Sequence, residues 1–169
     1  MRAFGSQAVG KKTVHHMDFE SLLNVNREVV ALTREKHEYS DADGLKMRDL
    51  LREVDLRADN QDFEEAVPEK ASLLVFKIAS GQYFRAGNKR TALVAGQIFL
   101  LKNGYSIDIT NAELVSMVDR AGVAAATLDD LYAVLADLKS ESKASRKGWD
   151  NTAREVVESN RAFLTELAS

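Results

Sequence analysis

Ten consecutive residues, Ala92 to Leu101 (ALVAGQIFLL), are apolar apart from Gly96 and Gln97, and nothing else in the chain limits its fold as much. Bounded by Gly87 to Thr91 before and Lys102-Asn103-Gly104 after, they read as one helix from Asn88 to Lys102. A helix that is apolar nearly all round has to be buried nearly all round. The rest of the chain must therefore wrap it. With 169 residues there is enough chain for one domain with its own core, at about 150 residues per domain. One proline and nine glycines leave few breakers, so the wrapping elements are expected to be helices.

Their periodicity agrees. Leu22, Val25, Val29 and Leu32 predict an amphipathic helix from about Asp18, its N-cap, to Lys36. Leu45, Leu50 and Leu51, expected to point inward, mark a second, ending near Asp55, and the charged, aperiodic stretch Leu56 to Phe63 is expected to be a surface connection. Pro68 suits the first position of a third helix, with Val67, Ala71, Leu74 and Ile78 inward and Gly81 as its stop. Beyond the central helix, Tyr105, Ile107 and Ile109 alternate with polar residues, enough for one short strand and too little to define a sheet. Thr110 with Glu113, and Thr127 with Asp130, have the spacing of capping boxes before two more helices. Lys139 to Gly148 is polar and basic and reads as a linker. A last helix from Asp150 carries a narrow seam of Trp149, Ala153, Val156, Asn160, Phe163 and Leu167. The expected organisation is an N-terminal arm over 1–16, a domain over 17–140, and a linker with a C-terminal helix over 141–169. The expected class is all-α, a bundle around a buried helix with at most a minor β segment.

Composition closes off several functions. No cysteine is present, which removes disulfide scaffolds and thiol chemistry. Against 23 basic side chains stand 26 acidic ones, a net charge of -3, so no direct nucleic-acid binding is expected. No apolar run approaches the ~18 residues of a membrane span, and Met1 to Lys12 lacks the apolar region of a signal peptide. The expectation is a cytoplasmic protein without a membrane partner.

One segment carries chemistry. Gly87-Asn88-Lys89-Arg90-Thr91 lies where the buried helix begins, so main-chain N–H groups and the positive end of the helix dipole converge there with two cations. Gly87 would let the backbone approach a phosphate, Asn88 offers amide donors, and the Arg90 fork matches two phosphate oxygens. The plainer reading of the same residues is a turn followed by solvated cations. A P-loop is excluded: five residues separate Gly81 from Gly87 where the Walker A pattern has four, and Asn88 precedes the lysine.

The run Gln82-Tyr83-Phe84-Arg85-Ala86-Gly87-Asn88-Lys89-Arg90-Thr91-Ala92-Leu93, followed by a helix ending in Asn103-Gly104-Tyr105, resembles the core motif of the Fic/Doc family, most closely its Doc (death-on-curing) branch. A weaker likeness extends upstream through Leu23 to Val30 and Glu69 to Ser80, so the resemblance covers roughly residues 17 to 140. It implies an all-helical bundle that transfers AMP or another phosphate-containing group from a nucleotide to a protein hydroxyl; Doc-type toxins phosphorylate elongation factor Tu. It implies ATP or another nucleotide as ligand, and a protein target or an antitoxin as partner. Phe84 matches the phenylalanine that buries the loop, while Gly87, Asn88, Lys89 and Arg90 match the phosphate-cradling residues. The family histidine that deprotonates the acceptor hydroxyl falls on Gln82. The acidic residue that holds Mg²⁺ falls on Ala86, and the second arginine of the Fic branch falls on Leu93.

Those departures are chemical. Glutamine has no titration near neutral pH and cannot act as general base, help that is worth ~10²–10⁴-fold in rate. With alanine at position 86 the metal loses its main protein ligand. None of His15, His16 and His37 lies in the motif. In active members a flap aligns the target by strand-like pairing, which here would be about Val54 to Phe63. The Ser/Thr-x-x-x-Glu pattern of inhibitory helices is absent from the last helix, where Val156 and Phe163 stand at the glutamate positions. The terminal seam either packs on the parent domain or pairs with a second copy as a homodimer. Three functions stay open at this point: a phosphate-binding but silent or impaired relative, a transferase with an unconventional base, and a non-catalytic interaction module.

Overall fold

The computed structural model describes residues 12–167. Helices α1 (Phe19–Ala31), α2 (Asp41–Leu56), α3 (Phe63–Gly81) and α4 (Asn88–Lys102) are followed by strand β1 (Tyr105–Ser106), helices α5 (Ala112–Gly122) and α6 (Leu128–Leu138), strand β2 (Ser140–Glu141), and helices α7 (Trp149–Ser159) and α8 (Arg161–Glu166). The class is all-α. Helix α4 is the axis: it packs against α3, α7, α1 and α5, and Ala92, Val94, Ala95, Ile98, Phe99 and Leu100 are completely buried. Gly96 makes this possible on one side, since a Cβ there would lie 2.5 Å from Val75 Cγ2 of α3.

Local signals explain most boundaries. Asp18 caps α1 by accepting from the Ser21 N–H, Ser40 caps α2, and Thr127 with Asp130 forms a reciprocal capping box on α6. On α2, Leu50 and Leu51 are buried as expected, but Leu45 is 66% exposed, and two expectations about helix starts also need correction. The cap of α5 is Asn111, whose side chain accepts from the Glu113 and Leu114 N–H groups, because Thr110 is already bonded to Asp108. Pro68 lies inside α3, which begins at Phe63. The carbonyl that its missing N–H would have met is that of Glu64, an exposed residue, so the vacancy falls where water reaches it.

Residues 1–11 of the expected arm lie outside the described residues. The part that follows is docked: the His15 N–H donates to Asn103 Oδ1 at 2.8 Å and Asn103 Nδ2 donates back to the His15 carbonyl at 3.0 Å. The basic linker is likewise pinned. Strand β2 pairs antiparallel with β1, the Ser142 N–H donates to the Gly104 carbonyl at 3.0 Å, and the Ser145 N–H donates to the Leu101 carbonyl at 2.8 Å. The sequence shows no sign of β2 in a run so polar.

The single terminal helix expected from Asp150 is two helices. Asn160 stands between them at φ -118, its Nδ2 donating to the Val156 carbonyl at 2.9 Å. Helix α7 packs against α4 and α1, with Ala153, Val156 and Val157 buried, and Leu164 of α8 is buried too. Of the expected seam, Ala153 and Val156 are buried within the chain, while Trp149, Asn160, Phe163 and Leu167 remain partly exposed. Among the described residues no helix is long and apolar enough to cross a membrane.

Candidate functional site

The loop between α3 and α4 is built from its two ends. Helix α3 stops because Gln82 takes the left-handed conformation (φ 51, ψ 47), and the Gln82 amide Nε2 turns back to donate to the Ala79 carbonyl at 2.8 Å. A glutamine at positive φ is uncommon. Phe84 then enters the core, 4% exposed, with its ring centroid 5.9 Å from His37 and 6.1 Å from Tyr39. Asn88 closes the loop: its Oδ1 accepts from the Phe84 N–H at 3.0 Å and its Nδ2 donates to the Phe84 carbonyl at 2.8 Å. Both arms of that amide therefore hold the loop's own backbone.

Gly87 precedes α4 at φ 77, where a Cβ would lie 3.0 Å from Val30 and 3.3 Å from Val29 of α1. The sequence suggested that this glycine clears a path for phosphate. Its bare face is instead filled by α1, so glycine is required here for helix packing and backbone conformation. The Thr91 N–H closes the first turn onto the Gly87 carbonyl, and no side chain caps the helix.

Arg90 is turned inward. It is 1% exposed, with Nη2 on Glu35 Oε1 at 2.5 Å and Nη1 donating to Thr33 Oγ1 at 3.0 Å and to the Val29 carbonyl at 3.4 Å. The Thr33 hydroxyl also donates to the Glu35 carboxylate. That bond, followed by the Arg90 guanidinium, holds the Glu35 carboxyl below its ordinary range. Lys89 points the other way, into an ion pair with Asp119 Oδ1 of α5 at 2.5 Å. Between the two helices lies a cleft of about 450 Å³, lined by Gln82, Asn88, Lys89, Asp119, Arg120 and Val123 among others. Thus Gln82, Asn88 and Lys89 meet at one cleft. Phe84 and Arg90 support it from the core side, and Ala86 lies on the face toward α1.

That second face shows what the sequence reading missed. Asn26 of α1, completely buried, donates through Nδ2 to the Ala86 carbonyl at 2.9 Å and to Thr91 Oγ1 at 3.0 Å. Its Oδ1 meets His37 Nδ1 at 2.8 Å. A carbonyl can only accept, so Ala86 fixes which end of the Asn26 amide is nitrogen; Oδ1 then faces His37, and Nδ1 must carry the hydrogen. Burial, then the Arg27 charge, lowers the His37 pKa from 6.5, favouring this neutral tautomer. A signal for Asn26 existed: it stands four residues after Leu22 on the apolar stripe of α1, where a polar residue needs partners. Glu35 and Thr33 gave none, lying beyond the last periodic residue.

The flap that the resemblance places at about Val54 to Phe63 would pair with a target chain, and the segment bonded to the loop's own backbone is a separate one. Residues 54–56 belong to α2 and 57–62 form its connection to α3. It is Glu38 whose carbonyl accepts from the Arg85 N–H at 2.8 Å, while its carboxylate pairs with the Arg85 guanidinium at 2.8 Å. Mg²⁺ does not fit the residues present. Position 86 is a methyl group, and the carboxylate at the cleft, Asp119, is engaged by Lys89.

No curated protein and no solved structure matches the chain. The model of the Fic/DOC family does match, over residues 13–100, which takes in α1 to α3, the whole loop described above and α4 as far as Leu100. That is just over half of the sequence, and on it the chain belongs to the Fic/DOC family.

Proposed function

We propose that this chain binds the phosphates of a nucleotide, ATP or a relative of it, in the cleft at the start of α4, and is silent or impaired as an AMP or phosphate transferase. One observation carries the reading: an uncapped helix N-terminus with Lys89 beside it shares a loop with Gln82 and Ala86. An incoming phosphate would take Lys89 from Asp119 and add the first N–H groups of α4, charge-assisted bonds about twice as strong as neutral ones. Gln82 could hydrogen-bond an acceptor hydroxyl and leave its proton in place. Likeness to the Doc branch supports a protein target or an antitoxin as partner, and a toxin–antitoxin setting.

The second reading, a non-catalytic interaction module that keeps the loop for architecture, is favoured by Arg90 and Asn88, whose polar arms are bonded inside the protein. A thermal melt separates the two. A ligand at ~100 times its Kd stabilises by about 2.7 kcal/mol, and for this chain length each kcal/mol raises Tm by about 2–4 °C. ATP, ADP or AMP should raise Tm accordingly, and Lys89→Glu should remove the rise. No shift with any nucleotide or with inorganic phosphate selects the interaction module. Radiolabelled ATP should label protein with the Gln82→His/Ala86→Asp variant and not with the wild type; equal labelling by the wild type selects a transferase with an unconventional base.

A further inference from the structure

Away from the loop, two adjoining clefts of about 410 and 450 Å³ run along the docked arm, the end of α4 and the pinned linker, sharing His15, Lys102 and Ala144. Lys12, His15, Lys102, Lys143 and Arg146 line them, against Glu141 as the acidic lining residue. In a chain of net charge -3 this is a marked segregation of positive charge. The walls are fixed in advance by the His15–Asn103 pair and by the linker's bonds to Gly104 and Leu101, so little ordering would remain to be done on binding.

We propose that this groove docks an acidic polypeptide segment of a partner protein. The choice of carboxylates over nucleic acid rests on the aromatic rings. Phe63 and Tyr105 stack on each other, centroids 6.5 Å apart, while Lys12 sits 5.5 Å over Phe63 and Lys139 sits 4.9 Å over Tyr105. Lys102 lies 5.7 Å over Trp149. Phe63 and Tyr105, the rings that line the groove, are thus engaged by each other and by the chain's own ammonium groups, which leaves bases little ring surface on which to stack. Carboxylates spaced along an extended peptide need no ring face. They need cations at intervals, and exposed Lys143 and Arg146 beside Lys102 supply them.

The test is fluorescence anisotropy of a labelled decapeptide of alternating Glu and Ser, with the Gln–Ser decapeptide as its uncharged counterpart, on the full chain. The Glu peptide should bind and the Gln peptide should not. Affinity should fall at least ~10-fold with Lys143→Glu/Arg146→Glu, and fall steeply as salt shortens the Debye length from ~10 Å at 0.1 M to ~3 Å at 1 M. Lys46→Glu/Arg52→Glu, an equal charge change outside the groove, should leave affinity within about twofold. The proposal is overturned if the Glu peptide does not bind, if both charge-reversed pairs weaken it equally, or if a single-stranded oligonucleotide binds the groove more tightly than the peptide. Circular dichroism of each variant guards against misfolding, and the exposed side chains chosen should leave the spectrum unchanged.

Discussion

The side-chain amide of Asn26 donates to the main-chain carbonyl of Ala86 at 2.9 Å, tying the first helix to the motif loop across 60 residues of sequence. Through Thr91 Oγ1 the same nitrogen reaches the first turn of α4. The loop is therefore held from α1 by a buried polar group, and from within by Asn88. Replacing Asn26 by alanine removes the partner of the Ala86 carbonyl and of His37 Nδ1, both part-buried, a loss of about 1 kcal/mol per hydrogen bond. Urea denaturation should show a lower midpoint for Asn26→Ala with an unchanged slope; an unchanged midpoint would mean that the amide contributes nothing to holding the loop.

At Gly87 the constraint is steric. Its φ of 77 and the 3.0 Å approach to Val30 leave an alanine both strained and crowded. Gly87→Ala should lose about 1–3 kcal/mol in the same denaturation experiment, and should weaken nucleotide binding with it because the start of α4 is displaced. A variant as stable as the wild type contradicts the packing assigned to this glycine.

His37 offers a spectroscopic check. Folding lowers its pKa below the ordinary value of about 6.5, so between the lowered value and 6.5 the unfolded chain binds more protons than the folded one. Stability is full above that window and declines as pH falls through it. Burial acts the same way on His16, with Lys70 and His15 adding to it and Asp55 and Asp59 opposing. Long-range ¹H–¹⁵N correlation should show His37 as the Nδ1–H tautomer, titrating below 6.5. An Nε2–H tautomer at neutral pH would contradict the hydrogen-bond chain through Asn26.

Glu35 runs by the carboxylate rule. Its pKa is lowered in the fold by the Thr33 hydroxyl and then by Arg90, so its contribution is present above the ordinary carboxylate pKa of about 4.3 and is lost as pH falls through the lower folded value. The side chain is 40% exposed, which discounts the pair for solvent screening. Glu35→Gln should cost about 1 kcal/mol at pH 7 and flatten the fall in stability below pH 4.3. An unaltered acid limb in the variant would show that some other carboxylate sets it.

The periodicity of Leu22 to Leu32, the capping residues Asp18 and Thr127, and the apolar run of α4 made the helical bundle readable, because burial and helix ends write themselves into adjacent residues. The position of the loop was readable for the same reason. What its side chains do was not. Asn88 and Arg90 belong to a phosphate-binding pattern by type and spacing, yet their partners, Phe84 for one and Thr33 and Glu35 for the other, are set by tertiary contact. Asp119 and Glu38 lie in helices and connections whose sequences show only ordinary surface charge. The pairing of β2 with β1 left no trace because two-residue strands carry no period.

The central claim is that the cleft at the start of α4 grips a nucleotide phosphate through the first N–H groups of that helix and Lys89. Its most direct test is an amide ¹H–¹⁵N titration of the full chain with ATP. Saturable shifts should be largest at Gly87, Asn88, Lys89 and Arg90, and Lys89→Glu should abolish them; a titration that leaves those four amides where they were, at any ATP concentration, would contradict the account.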